Sequence, residues 1–300
     1  MTASTCSNAR NREAIDEPPN PLGLDGIEFV EFATRRPQAL GQVLEIMGFR
    51  PIARHRSREV LLYRQGSMNI VINAHAEGVP EAVQPGDAPE IAAIALRVRD
   101  AGAAWRRAIE RGGWPVPAQP QPMELHIPAL HGVGRSRIYL VDRYKDFSIY
   151  DVDFVPIPTV DPHPPAVAGL HWFGVVQYIG LGRMDDWTEF YGELFGFSAL
   201  PDETRFGILP RGRVLASPCG QFYLQLIEPE PDAMDADPDE TLHRVAFGTP
   251  DVRQAVRELT RRGMNFVESS SVHTEDRGAL TQTWLGSVAF ELVHHPLPTA

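Results

Sequence analysis

Two stretches of this chain superpose without a gap. Residues 242–267, LHRVAFGTPDVRQAVRELTRRGMNFV, repeat residues 91–116, IAAIALRVRDAGAAWRRAIERGGWPV, with Leu242 falling on Ile91. Asp251 falls on Asp100, Ala255 on Ala104 and Gly263 on Gly112. Each copy reads as an apolar strand, an Asp cap, an amphipathic helix, a glycine stop and the start of another strand. A helix with one apolar face needs a sheet to cover it, so a chain holding this unit twice folds as a duplicated helix-on-sheet structure.

The surrounding order recurs as well. In the first half a strand at 26–32 precedes a helix opened by Pro37 and stopped at Gly48-Phe49. In the second, a strand at 170–179 precedes a helix at 184–194 stopped at Gly196-Phe197. The β-rich run 60–73 matches 213–227, and 147–156 matches 287–296, which sets Asp151 opposite Glu291. Between Arg135 and Asp153 two further strands are expected. The pattern predicts an α+β fold of tandem βαβββ modules, forming two domains with curved mixed sheets and helices outside. Polar residues 1–20 are expected as a disordered tail, 21–156 as the first domain, 157–168 as a proline-rich linker, and 169–300 as the second domain.

Composition narrows the partners. A net charge of −11 argues against nucleic acid and anionic membrane as ligands. No apolar run is long enough to span a bilayer or to serve as an export signal. Cys6 and Cys219 are the two cysteines, too few and too unrelated in context for a disulfide framework or a thiolate zinc site. A reducing, cytoplasmic setting is expected, with a homo-oligomer left open.

Strand alternation assigns faces. In residues 243–247 the bulky Val245 and Phe247 belong under the helix, so Arg244 and Ala246 face the concave side and His243 faces away from it. In residues 287–293, Val288, Phe290 and Leu292 take the helix side, and Ala289, Glu291 and Val293 face inward. Arg244 and Glu291 are thus expected in one cavity, against Ala93 and Asp151 in the first domain. The second domain is the better candidate for a site. There Arg244 can anchor an acid group with Glu291 as acid, base or orienting partner, or the two can form a structural ion pair. Gln225 and Gln282 lie on strands and are candidate hydrogen-bonding groups. His171, His243 and Glu291 would make a two-histidine, one-carboxylate metal set, against which the alternation of His243 speaks.

Five blocks carry a resemblance: GIEFVEFA at 26–33, GRMDDWTEFY with LFGF at 182–197, SPCG at 217–220, RVAF at 244–247 and AFEL at 289–292. Over residues 22–296 the chain resembles the 4-hydroxyphenylpyruvate dioxygenase family of the vicinal oxygen chelate superfamily. That resemblance implies a site for Fe(II), held by two histidines and a glutamate, and an aromatic 2-oxo acid as substrate. The glutamate position is Glu291. The histidine positions fall on Arg244 and, counting back from Gly182, on Gly174. Ser217 is carried over as a substrate contact. The lead expectation is a divergent family member binding a small aromatic or oxo acid through Arg244, Glu291, Gln225, Gln282 and Ser217, without a metal. An atypical Fe(II) or other divalent-metal dioxygenase using His171, His243 and Glu291, and a non-catalytic interaction module, stand as alternatives.

Overall fold

The computed structural model describes residues 19–75, 85–117, 125–204, 207, 212–229, 239–267 and 277–297. Residues 1–18 of the expected tail, Cys6 and His273 lie outside them. The first half runs β1 (Leu24–Ala33), α1 (Pro37–Ile46), β2 (Arg50–His55), β3 (Val60–Gln65) and β4 (Met68–Asn73). It continues with β5 (Glu90–Val98), α2 (Ala101–Glu110), β6 (Ala129–His131), β7 (Arg137–Val141), α3 (Ile149–Asp153) and β8 (Phe154–Pro156). The second half runs β9 (His171–Tyr178), α4 (Met184–Phe195), β10 (Ser198–Ala199), β11 (Arg213–Ala216) and β12 (Tyr223–Ile227). It closes with β13 (Thr241–Thr249), α5 (Val252–Arg261), β14 (Gly278–Leu280) and β15 (Phe290–His294).

Local chemistry sets the repeated helices. Asp100 accepts from the Ala103 N–H at 2.7 Å, and Asp251 from the Gln254 N–H at 2.8 Å, capping α2 and α5 alike. Gly196 ends α4 in the left-handed conformation at φ 79°, where a side chain would be strained.

The strands form an eight-stranded sheet, β6-β7-β5-β1-β4-β3-β2-β8, and a seven-stranded sheet, β10-β11-β12-β9-β13-β15-β14. In each half the first strand of one module lies antiparallel to the first strand of the next, β1 with β5 and β9 with β13. Each of these four strands is parallel to the last strand of its own module. The module is therefore a right-sized crossover unit, and the expected α+β architecture of tandem βαβββ modules is what forms.

The helices cover one face of each sheet. Val245, Phe247, Val288, Phe290 and Leu292 join the same buried cluster as Ala255 and Leu259 of α5, as alternation predicts. That apolar layer runs through both halves, with the Phe49 and Phe247 rings 5.9 Å apart. Among the described residues, no helix is long and apolar enough to cross a membrane.

One expectation fails in the first half. Asp151 lies on α3, not on a strand, and is exposed. Ser148 N–H and Oγ donate to Asp151 Oδ2 at 2.7 and 2.9 Å. This Ser-x-x-Asp capping pattern nucleates a helical turn where sequence matching suggested an inward carboxylate. The strand that runs beside β5 is instead β7, which sets Tyr139 next to Ala95 as β15 sets Glu291 next to Ala246.

Candidate functional site

The site is fixed by strand register. Ala246 of β13 pairs with Gly174 of β9 on one side and with Glu291 of β15 on the other. Arg244, one pleat along, pairs with Val176. Arg244 Nε donates to Glu291 Oε2 at 3.1 Å, and the two side chains are only 3% and 2% exposed. This is a desolvated ion pair, and mutual attraction in low dielectric works against the cost of burying both charges. Arg244 Nη1 reaches the Tyr178 hydroxyl and His243 Nδ1 at 3.5 and 3.4 Å, at the long end of hydrogen bonding. Arg244 Nη2 is buried without a hydrogen-bond partner among the described residues.

His243 is on the same side as Arg244, contrary to simple alternation. β13 carries a bulge between Leu242 and Arg244, so Leu242 pairs with Gln177 and Arg244 with Val176, leaving His243 as the extra residue. A bulge lets two successive side chains project to one face. The His243 ring stacks on Tyr178, with centroids 4.1 Å apart and planes 10° from parallel. Burial, and then the adjacent Arg244 charge, lower its pKa from 6.5 to about 4, so it is neutral at pH 7.

A cleft of about 280 Å³ opens on this concave face, lined by Phe173, Gly174, Tyr223, Gln225, Ala246 and Glu291 among others. It is tight, with room for little more than a water molecule. Arg244 lies behind Glu291 and does not line it. Gln225, an expected ligand contact, is in the lining. Ser217 is not: its Oγ accepts from the Phe222 N–H at 3.2 Å and lies 3.3 Å from Cys219 Sγ, which closes the turn between β11 and β12. Gln282 is exposed, its backbone N–H bonded to the Asn265 carbonyl, so the chain turns it away from the cleft.

His171 also stands apart. It pairs with Gly248, two residues beyond Ala246 along β13, and its Nε2 lies 3.0 Å from His295 Nδ1. His171, His243 and Glu291 are not brought together, and no group of three His, Cys, Asp or Glu side chains suited to a metal occurs among the described residues.

The resemblance puts three iron-ligand positions at Gly174, Arg244 and Glu291, and the strands do bring these three positions to one point. The residues there do not fit the ion. A guanidinium has no lone pair to donate and repels a cation. At Gly174 a Cβ would lie 2.0 Å from the Tyr223 carbonyl oxygen of β12, so the backbone occupies the space from which a ligand side chain would start. Only the carboxylate of Glu291 remains, and Arg244 holds it.

Tyr178, Tyr223, Phe173 and His295 were not singled out by sequence. Tyr178 and Phe173 lie on β9, whose pairing with β13 is irregular at two places, one between Leu242 and Arg244 and one between Ala246 and Phe247 that leaves Phe173 as the extra residue beside Gly174, whereas Tyr223 lies on the regularly paired β12. The signal available was alternation, and the bulges alter it locally.

The chain matches known families along most of its length. Residues 19–155 match the family described as hydroxyphenylpyruvate dioxygenase, HPPD, N-terminal. Residues 169–282 match the glyoxalase/bleomycin resistance protein/dioxygenase superfamily. The chain is 42% identical over 180 residues to a 4-hydroxyphenylpyruvate dioxygenase of Pseudomonas sp. (strain P.J. 874), covering 59% of this chain and 50% of that protein. To the 4-hydroxyphenylpyruvate dioxygenase of Pseudomonas aeruginosa it is 33% identical over 278 residues, 88% of this chain and 77% of the relative. A solved xylose isomerase-like TIM barrel/4-hydroxyphenylpyruvate dioxygenase fusion protein superposes with a TM-score of 0.73 at 28% identity, over 94% of this chain and 51% of that one. The match thus spans about half of the first relative and of the fusion protein. With a third of its residues shared across three-quarters of the Pseudomonas aeruginosa enzyme, and the same order of modules, this chain belongs to the 4-hydroxyphenylpyruvate dioxygenase family.

Proposed function

We propose that this protein is a metal-independent member of its family that binds a small aromatic or oxo acid on the concave face of the second sheet. Arg244 supplies the positive charge that the family's cation would supply, and Glu291 serves as hydrogen-bond partner or base. The observation that supports this is the buried Arg244–Glu291 pair, 3.1 Å apart at the position of the implied metal, with Arg244 Nη2 still without a partner. That donor, buried behind Glu291, can take an acid or carbonyl oxygen once the tight cleft widens on binding. Gln225 lines the cleft beside Glu291. Any reaction is a proton transfer through Glu291.

Titration with 4-hydroxyphenylpyruvate and 4-hydroxybenzoate tests this. Binding weakened at least tenfold by Arg244→Lys, in a protein shown to be folded, is expected. Equal affinity in wild type and Arg244→Lys contradicts it.

A second reading is a non-catalytic interaction module, and the tightness of the cleft favours it. Absence of binding by both acids, with the fold intact, would move the balance to that reading.

A further inference from the structure

We propose that His171 and His295 form a two-nitrogen site for a borderline divalent metal such as Cu2+ or Zn2+, separate from the position of the family's iron. The two rings come from opposite ends of the second half, the first residue of β9 and the residue after β15, yet His171 Nε2 and His295 Nδ1 are 3.0 Å apart.

The arrangement around His171 is that of a metal-ready imidazole. Its Nδ1 lies 3.0 Å from the Gly169 carbonyl oxygen, an acceptor only, so Nδ1 carries the proton. A neutral imidazole has one N–H, which leaves a lone pair on Nε2, aimed at His295. Donation of the distal N–H to a backbone carbonyl is the contact that fixes metal-binding histidines. The space for this nitrogen is kept by a glycine: a Cβ on Gly248 would lie 2.3 Å from His171 Nε2. Burial lowers the pKa of both rings, so neither competes for the ion as an imidazolium at neutral pH.

In the absence of metal, His295 Nδ1–H can donate to His171 Nε2. On binding, the proton of His295 moves to its Nε2, and both lone pairs turn to the ion with no net proton release. Bonds of 2.0–2.1 Å in tetrahedral geometry set the two nitrogens about 3.3 Å apart, so the rings need to part by only about 0.3 Å. His295 is partly exposed and leaves room for water ligands. No third His, Cys, Asp or Glu joins the pair among the described residues. An imidazole pair completed by water selects Cu2+ over Zn2+ and disfavours Mg2+ and Ca2+. The site borders the cleft, because the His295 ring also contacts Phe173 and Tyr223, with centroids 5.4 and 6.3 Å away, and both line it.

Titration of the full chain with Cu2+, followed by electron paramagnetic resonance, tests the proposal, with Zn2+ as competitor. The expected result is one equivalent bound through two nitrogens. Affinity falls at least tenfold in His295→Ala and in the milder His295→Gln, and is unchanged in His294→Ala and Glu291→Gln. Equal affinity in wild type and His295→Gln overturns the proposal, as does a loss confined to His294→Ala. Loss in Glu291→Gln also overturns it, and would place the ion at the family's position instead.

Discussion

Arg244 and Glu291, on neighbouring parallel strands, form a fully buried ion pair where the family's metal site would be. Both charges have left water, and the Arg244 Nε–Glu291 Oε2 contact joins them. The pair accordingly makes its members depend on each other. Arg244→Met alone removes the guanidinium 3.1 Å from a buried carboxylate and is expected to destabilise the fold by about 3–5 kcal/mol. Adding Glu291→Leu recovers most of that loss, because an apolar pair has no charge to desolvate. Urea unfolding of the two variants and the wild type checks this; a double variant as unstable as the single one contradicts it.

Gly174 carries a second prediction. The Tyr223 carbonyl oxygen lies where its Cβ would be, and the obstacle is backbone that cannot rotate away. Gly174→Ala forces β12 from β9 and is expected to cost about 1–3 kcal/mol, as for other overpacked interiors. Thermal unfolding reads it directly. An unchanged melting temperature would mean that the strand spacing is softer than the register implies.

The bulge at His243 makes stability depend on pH. The ring has a pKa of about 4 in the folded chain against 6.5 when free, so the unfolded state binds its proton first. Its contribution is fully present above pH 6.5 and is lost as pH falls from 6.5 towards 4. His171 and His295, also lowered, act in the same direction. His243→Phe keeps a ring on Tyr178 without a titrating nitrogen, and its urea midpoint should fall less steeply than that of wild type between pH 6.5 and 4.5. Parallel curves would show that His243 is not held neutral by the fold.

Gly248 links the site to the histidine pair. A methyl group there meets the His171 ring, so Gly248→Ala is expected to separate His171 from His295. In the histidine ring resonances of the nuclear magnetic resonance spectrum, both rings should shift together, while that of His243 stays in place. Movement of His171 without His295 would contradict their coupling.

Much of this was legible in the sequence. The gapless repeat gave the modules, the Asp caps their helices, and period-two alternation the inward Arg244 and Glu291. Alternation failed at His243 because a bulge adds one residue to β13, and nothing in the local composition marks it. Matching by offset failed at Asp151, where a Ser148 cap makes a helical turn that a strand pattern cannot show. Ser217 is committed to the turn between β11 and β12 and Gln282 is exposed, away from the cleft, since similarity of a block does not fix which way its side chains point. The closeness of His171 to His295 is set by the antiparallel pairing of β9 with β13 and the parallel pairing of β13 with β15, a relation that exists only once the sheet is assembled.

The most direct test of the central claim is elemental analysis of the folded chain after anaerobic incubation with Fe(II) and removal of free metal, in wild type and in Glu291→Gln. The account predicts iron well below one equivalent and no difference between the two proteins. One iron per chain in the wild type, lost in Glu291→Gln, would contradict it and restore the dioxygenase metal site to this fold.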